Sequence, residues 1–160
     1  MVEIGDKRGY INKTGKYVIN PQFDDAWDFS EGLAMVEIGD KRGYINKTGK
    51  YVINPQFDRA ESFSEGLAKV KHGDKWGYID KTGKYVVNPQ FDVAWSFSEG
   101  LARVKLGDKW GYIDRTGKYV INPQFDHAWS FSEGLAEVEL GDKQGYIDKT
   151  GNWIWSNVLE

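Results

Sequence analysis

The chain has no cysteine, only four prolines and two histidines, and no marked excess of either charge. Each shortage narrows what it can be. Without thiols there are no disulfides, no thiolate metal sites and no thiol catalysis. A formal charge of −3, from 24 acids against 21 bases, lacks the basic surplus of a phosphate-binding domain and argues against nucleic acid as a partner. No apolar run approaches the roughly 20 residues that span a bilayer, and the opening Met1–Tyr10 segment has no signal-peptide core. A membrane is therefore not expected as a partner, and a cytoplasmic location is. Apolar residues at 40% and charged residues at 28% still predict a chain that folds in water.

What the chain does have is glycine, 19 residues of it, and 15% aromatics, arranged in a period. Gly-Tyr recurs at Gly9-Tyr10, Gly43-Tyr44, Gly77-Tyr78, Gly111-Tyr112 and Gly145-Tyr146, 34 residues apart each time. Asn-Pro-Gln-Phe-Asp begins at Asn20, Asn54, Asn88 and Asn122, and Phe-Ser-Glu-Gly-Leu-Ala at Phe29, Phe63, Phe97 and Phe131. Met1 to Asp24 is identical to Met35 to Asp58, an identity that very recent duplication or deliberate engineering leaves. This is one array over 1–160, with units near 1–34, 35–68, 69–102, 103–136 and 137–160 and no linker between independent domains.

Helical repeats of similar length are excluded by three or four glycines and a proline in most units, and by the lack of any helical apolar spacing. Three short strands fit instead. In the second unit, Leu33–Ile38 is strand A, Gly39-Asp40 a two-residue hairpin, Arg42–Asn46 strand B and Lys50–Ile53 strand C. Asp80-Lys81-Thr82-Gly83 reads as a type I turn closed by a left-handed glycine. Alternation places apolar residues on both faces, with Tyr85 and Val87 sharing one face of strand C. A meander this small is marginal alone and is satisfied by stacking on neighbours. The connector Phe91–Phe97 spaces its aromatics like one short helical or irregular turn wedged between sheets.

With Lys75-Trp76-Gly77-Tyr78-Ile79-Asp80 and Lys109-Trp110-Gly111-Tyr112-Ile113-Asp114 in view, the chain resembles the bacterial WG-repeat (KWG) family over essentially its whole length. The resemblance implies an all-β protein of variable repeat number, taken as a binding or scaffold module without assigned catalysis. Arg8, Arg42 and Gln144 replace the name-giving tryptophan in three units, and unit five ends in Asn152-Trp153-Ile154-Trp155 where a connector would follow.

Little here is singular enough for catalysis. His72 and His127 occupy slots held elsewhere by unrelated residues, and the serines belong to the repeated Phe-Ser-Glu-Gly. Asp80, Asp114 and Asp148 each stand beside a lysine or arginine and suit a turn better than a cation, so neither a metal nor another cofactor is expected. Tyr10, Tyr44, Tyr78, Tyr112, Phe23, Phe57, Phe91 and Phe125 read as core. Trp76 and Trp110 stand in a slot that also takes arginine and glutamine, and Trp27, Trp95 and Trp129 in one that takes Glu61. Such tolerant slots must be partly exposed, because burying an unpaired charge is costly. These five tryptophans are the candidate ligand-binding residues.

The expected fold is all-β: five three-stranded antiparallel meanders stacked like propeller blades in an open superhelical array, monomeric, with a closed five-bladed ring as the competitor. The expected function is a non-catalytic scaffold binding a protein, with a carbohydrate-binding module as the alternative. Trp153 and Trp155 are expected to cap the last sheet, residues 152–160 replacing the missing connector.

Overall fold

A computed structural model describes residues 1–158; Leu159 and Glu160, the end of the expected cap, lie outside the described residues. Among the described residues every regular element is a strand. In chain order these are β1 (Val2–Ile4), β2 (Lys7–Ile11), β3 (Tyr17–Phe23), β4 (Asp25–Ala26), β5 (Ala34–Ile38), β6 (Lys41–Ile45), β7 (Tyr51–Phe57), β8 (Arg59–Ala60), β9 (Ala68–His72) and β10 (Lys75–Ile79). They continue as β11 (Tyr85–Phe91), β12 (Val93–Ala94), β13 (Leu101–Leu106), β14 (Lys109–Asp114), β15 (Tyr119–Phe125), β16 (His127–Ala128), β17 (Leu135–Leu140), β18 (Lys143–Asp148) and β19 (Trp153–Val158). The residues form two compact units: Met1–Gly73 with Ile79–Lys84, and Asp74–Tyr78 with the chain from Tyr85 onward.

In the first unit β1-β2-β3 form one sheet and β4-β5-β6-β7 a second, while β8 pairs with β9. In the second unit β12-β13-β14-β15 and β16-β17-β18-β19 form two more sheets. Pairing is antiparallel throughout these sheets and none closes on itself. The expected meander is present in each repeat, and the connector adds to it. Instead of a helical turn, its Asp25-Ala26, Arg59-Ala60, Val93-Ala94 or His127-Ala128 pairs as a short fourth strand on strand A. The four-strand meander order is that of a propeller blade.

Both hairpins follow from local chemistry. Gly39 sits at φ +65° between Ile38 and its partner Lys41, so glycine supplies the left-handed position of the two-residue loop. At the second turn, Gly49 N–H donates to the Asn46 carbonyl (3.0 Å) and Asn46 N–H to the Lys50 carbonyl (2.9 Å). The Asn46 side-chain oxygen accepts from Thr48 N–H, Thr48 Oγ1 and Lys50 N–H, and Asp80 does the same in the third repeat. A third tight turn, Ser30-Glu31-Gly32-Leu33, carries two consecutive positive φ angles, 53° at Glu31 and 86° at Gly32. Its left-handed glutamate is held from outside: Gly66 N–H donates to Glu31 Oε1 at 3.0 Å, and Ser30 Oγ donates to the Phe63 carbonyl at 2.8 Å.

Strand C departs from simple alternation. Tyr44 pairs with Ile53 while Ile45 pairs with Tyr51, so a bulge leaves Val52 as the extra residue. Tyr51 and Ile53 therefore point to opposite faces, contrary to the shared face expected from the sequence. Tyr51 meets the preceding repeat, edge-on to Phe23 with centroids 6.3 Å apart. Ile53 meets the following one, its Cγ1 2.9 Å from where a Cβ on Gly83 would stand. A second irregularity follows, because Arg42 opposes Phe57 with Asn54-Pro55-Gln56 bulged over Gly43. The strand thus runs on through the proline to Phe57, beyond the end at Ile53 read from the sequence. A Cβ on Gly43 would lie 2.6 Å from both the Ile53 carbonyl oxygen and the Pro55 nitrogen.

These faces interleave. Tyr10, Ile19 and Phe23 of the first sheet pack on Ala26, Ala34, Val36 and Ile45 of the second. In the other unit Leu101, Tyr112, Ile121 and Phe125 pack on Ala128, Phe131, Ala136, Val138 and Ile147. Each tyrosine hydroxyl donates across its junction to a connector carbonyl, Tyr10 to Trp27 and Tyr112 to Trp129 at 2.6 Å. Burial pushes the Tyr10 phenol up to about 12. The expected cap forms only in part. Trp153 packs against the second cluster, edge-on to Phe125 at 6.2 Å, whereas Trp155 faces outward and is 56% exposed. It stands where Ile121 stands one repeat earlier, on the face that a following sheet would cover.

The strand-B glycine gives a direct test. In Gly111→Ala the new methyl meets the Ile121 oxygen at 2.6 Å and the Pro123 nitrogen at 2.7 Å, both main-chain atoms that cannot swing aside. We expect a loss of about 3 kcal/mol or more in urea unfolding. Gly107→Ala has open space at its Cβ but φ +66°, and should lose only about 1–2 kcal/mol. Equal losses would remove the close approach as the reason for this glycine.

Candidate functional site

The polar residues sort into those the fold consumes and those it leaves. Asp24, Asp58, Asp92 and Asp126 are consumed. Each pairs with a lysine opening strand B (Lys7, Lys41, Lys75 and Lys109). Each also accepts the N–H of the hairpin glycine one repeat on: Gly39 at 2.6 Å, Gly73 at 2.8 Å, Gly107 and Gly141 at 2.7 Å. The lysine hydrogen bond, then the glycine N–H, holds all four carboxyls below their ordinary value, and the aspartates hold the lysines above theirs. Asp80, Asp114 and Asp148 are likewise held down, chiefly by the turn threonine.

The residues left over gather on one face. Register sets Asp25 opposite Glu37 and Glu37 opposite Arg42; one row along, Trp27 N–H donates to the Met35 carbonyl and Met35 opposes Tyr44. These two rows hold the slots that change most between repeats. The Asp25 slot reads Asp, Arg59, Val93, His127; the Trp27 slot Trp, Glu61, Trp95, Trp129. On strand A the Met35 slot becomes Lys69, Arg103 and Glu137, and the Glu37 slot becomes Lys71, Lys105 and Glu139. On strand B the Arg42 slot becomes Trp76, Trp110 and Gln144.

Each sheet combines its slots differently. In the second, Arg42 pairs with Glu37 at 2.9 Å and lies over the Trp27 ring at 4.6 Å. In the fourth, the Arg103 guanidinium stands 4.2 Å from the Trp95 centroid and 5.5 Å from that of Trp110, with Lys105 5.9 Å from Trp110. Arg103 also donates through Nη1 to the Ala128 carbonyl, while its buried Nε has no partner. In the fifth, Gln144 donates to Glu137, and His127 lies 6.2 Å from Trp129. The fourth is basic and aromatic, the fifth acidic.

Of the tryptophans singled out in the sequence, Trp95 is 45% and Trp129 41% exposed, while Trp27, Trp76 and Trp110 are half-buried. Sequence reasoning found the two tryptophan slots and missed the charged ones between them. Comparing each slot across repeats would have found those, once the connector was known to pair as a strand. His72 and His127 are exposed, and no group of three or more metal-ligating side chains occurs among the described residues. No helix among them is long and apolar enough to cross a membrane.

Repeated small antiparallel sheets, each presenting its own pair of variable rows, define a tandem β-repeat protein. The chain belongs to the WG containing repeat family, whose model matches residues 9–41, 43–76, 76–110 and 110–143. No curated protein matches the sequence. Among solved structures, Kluyveromyces lactis Hsv2 with its complete loop 6CD aligns at 8% identity over 81% of this chain and 46% of that one, with a TM-score of 0.47. KlHsv2 with loop 6CD replaced by a Gly-Ser linker aligns at 9% identity over 79% and 48%, with a TM-score of 0.48. The chain spans about half the length of these Hsv2 structures. A plant lectin with two metal binding sites from Cicer arietinum aligns at 17% identity over 83% and 90%, with a TM-score of 0.32.

The aspartate links predict the response to acid. A carboxyl whose value falls on folding contributes stability above its unfolded value, near 3.8, and loses it as pH falls through the lower folded value. The thermal midpoint should be level through neutral pH and drop as pH falls below about 4. Replacing Asp24, Asp58, Asp92 and Asp126 together with Asn should lower the neutral midpoint and flatten the acid limb. An unchanged acid limb in that variant would show the links to be idle.

Proposed function

We propose that the chain is a non-catalytic scaffold that binds a protein partner through the variable rows of its sheets. One observation carries this reading: the slots that differ between otherwise near-identical repeats converge on one face of each sheet, while the residues that recur build turns and core. A surface whose charge runs from basic and aromatic to acidic along one chain suits recognition of an extended partner surface at several points. The fourth sheet is the strongest single patch, with an arginine lying over two indoles beside Lys105.

The carbohydrate reading draws on the exposure of Trp95 and Trp129, whose rings could stack on a sugar. Two parallel assays decide between them. Partners recovered from the source cell on the immobilised chain should bind the Trp95→Ala/Lys105→Glu variant at least about tenfold more weakly, a change of about 1.4 kcal/mol. The variant's urea midpoint monitors its fold. Full retention of the partner would remove the rows as the site. Glycan-array binding that disappears in Trp95→Ala and Trp129→Ala would establish the carbohydrate reading instead, and a hydrolase or transferase activity abolished by His72→Ala would overturn the non-catalytic one.

A further inference from the structure

The outward face of the fifth sheet is the same surface that other sheets bury. Leu135, Tyr146 and Trp155 occupy the places of Leu101, Tyr112 and Ile121. The earlier three are 7%, 0% and 5% exposed; the later three are 37%, 41% and 56% exposed. Tyr146 and Trp155 lie with ring centroids 6.4 Å apart, so the patch is continuous. Exposed apolar surface of this kind marks an interaction site.

The first sheet exposes the opposite half of the same junction. Ile11 is 39% exposed, whereas its counterparts Ile45, Ile113 and Ile147 are fully buried. The turn glycine tells the same story. A Cβ on Gly49 or Gly151 would touch Ile19 or Ile121 at 3.2 Å, but one on Gly15 would meet nothing within 4 Å. Where these two halves meet inside a unit, Ile45 and Val36 seat on Tyr10 and Ile19, and Ile147 and Val138 seat on Tyr112 and Ile121.

We propose that the fifth sheet's outward face, Leu135, Tyr146 and Trp155, binds the first sheet of a second copy of this chain through Ile11, Val2 and the Gly15 turn. The occupant is specified by the internal junctions, which show this outward surface covered by this inward one. The contact is head-to-tail, so it does not close in a two-fold dimer and can add further copies. It lacks the contributions that Ala128 and Phe131 make at the fourth junction, so it is leaner than an internal one. The larger Trp155, in place of isoleucine, offsets part of that loss. This differs from the monomer expected from the sequence and does not depend on the variable rows.

Sedimentation equilibrium of the whole chain tests it. The weight-average mass should rise above 18.3 kDa as protein concentration increases. Trp155→Glu and Ile11→Glu, both at exposed positions, should each hold it at the monomer value with an unchanged urea midpoint. An equimolar mixture of the two variants should form dimers and nothing larger, because each supplies the face the other lacks. The wild type remaining at 18.3 kDa throughout would overturn the proposal. So would self-association of Ile11→Glu alone, which marks a tail-to-tail contact, or a mixture that stays monomeric.

Discussion

At Gly43 the main chain of β6 runs so close beneath the Asn54-Pro55-Gln56 bulge that no side chain fits between them, and Gly9 and Gly111 repeat the arrangement with contacts of 2.5–2.9 Å. That approach lets strand C carry its irregularities. The adjoining bulge in turn splits Tyr51 and Ile53 between the two faces of the sheet. A sheet apolar on both faces cannot be satisfied alone; it needs a neighbour on each side. The tyrosine hydroxyls reaching the next connector, and the aspartates joining a lysine to the next hairpin, fix the spacing at which the neighbour sits.

The polar side of the fold follows the same economy. Asp24, Asp58, Asp92 and Asp126 are satisfied by glycine N–H groups and lysines, and no polar residue is fully buried among those described. The Asp25, Glu37, Arg42 and Arg103 slots lie in two adjacent rows, where Arg42 and Arg103 also donate to the Ala60 and Ala128 carbonyls. The turns and most of the core are supplied by recurring residues, so the slots of those rows differ from repeat to repeat on a common scaffold.

Much of this was readable in the sequence. The 34-residue period, strands A and B to within one residue at each end, and both hairpins followed from glycine positions and alternation. Strand C did not, because a bulge breaks the period-two rule and continues a strand through Asn54 and Pro55, residues that ordinarily end one. The connector misled because its pairing portion is two residues long, too short to show alternation. The tolerant tryptophan slots were visible as aromatics exchanged for charge. Their partners Lys69, Arg103, Glu137 and Lys105 were not, since charge on strand A reads as ordinary solvation until the register shows what lies beside it. Trp155 was misjudged for a physical reason: aromatic bulk predicts burial only where a partner face exists, and here none covers it.

The central claim is that each sheet is stabilised by the faces of its neighbours rather than by itself. It is tested most directly by urea unfolding of chains built from increasing numbers of the 35–68 segment. The account predicts that the shortest chain unfolds readily and that the midpoint climbs with each added repeat before levelling, as nearest-neighbour coupling requires. A midpoint independent of repeat number would show that each sheet stands alone, and would contradict it.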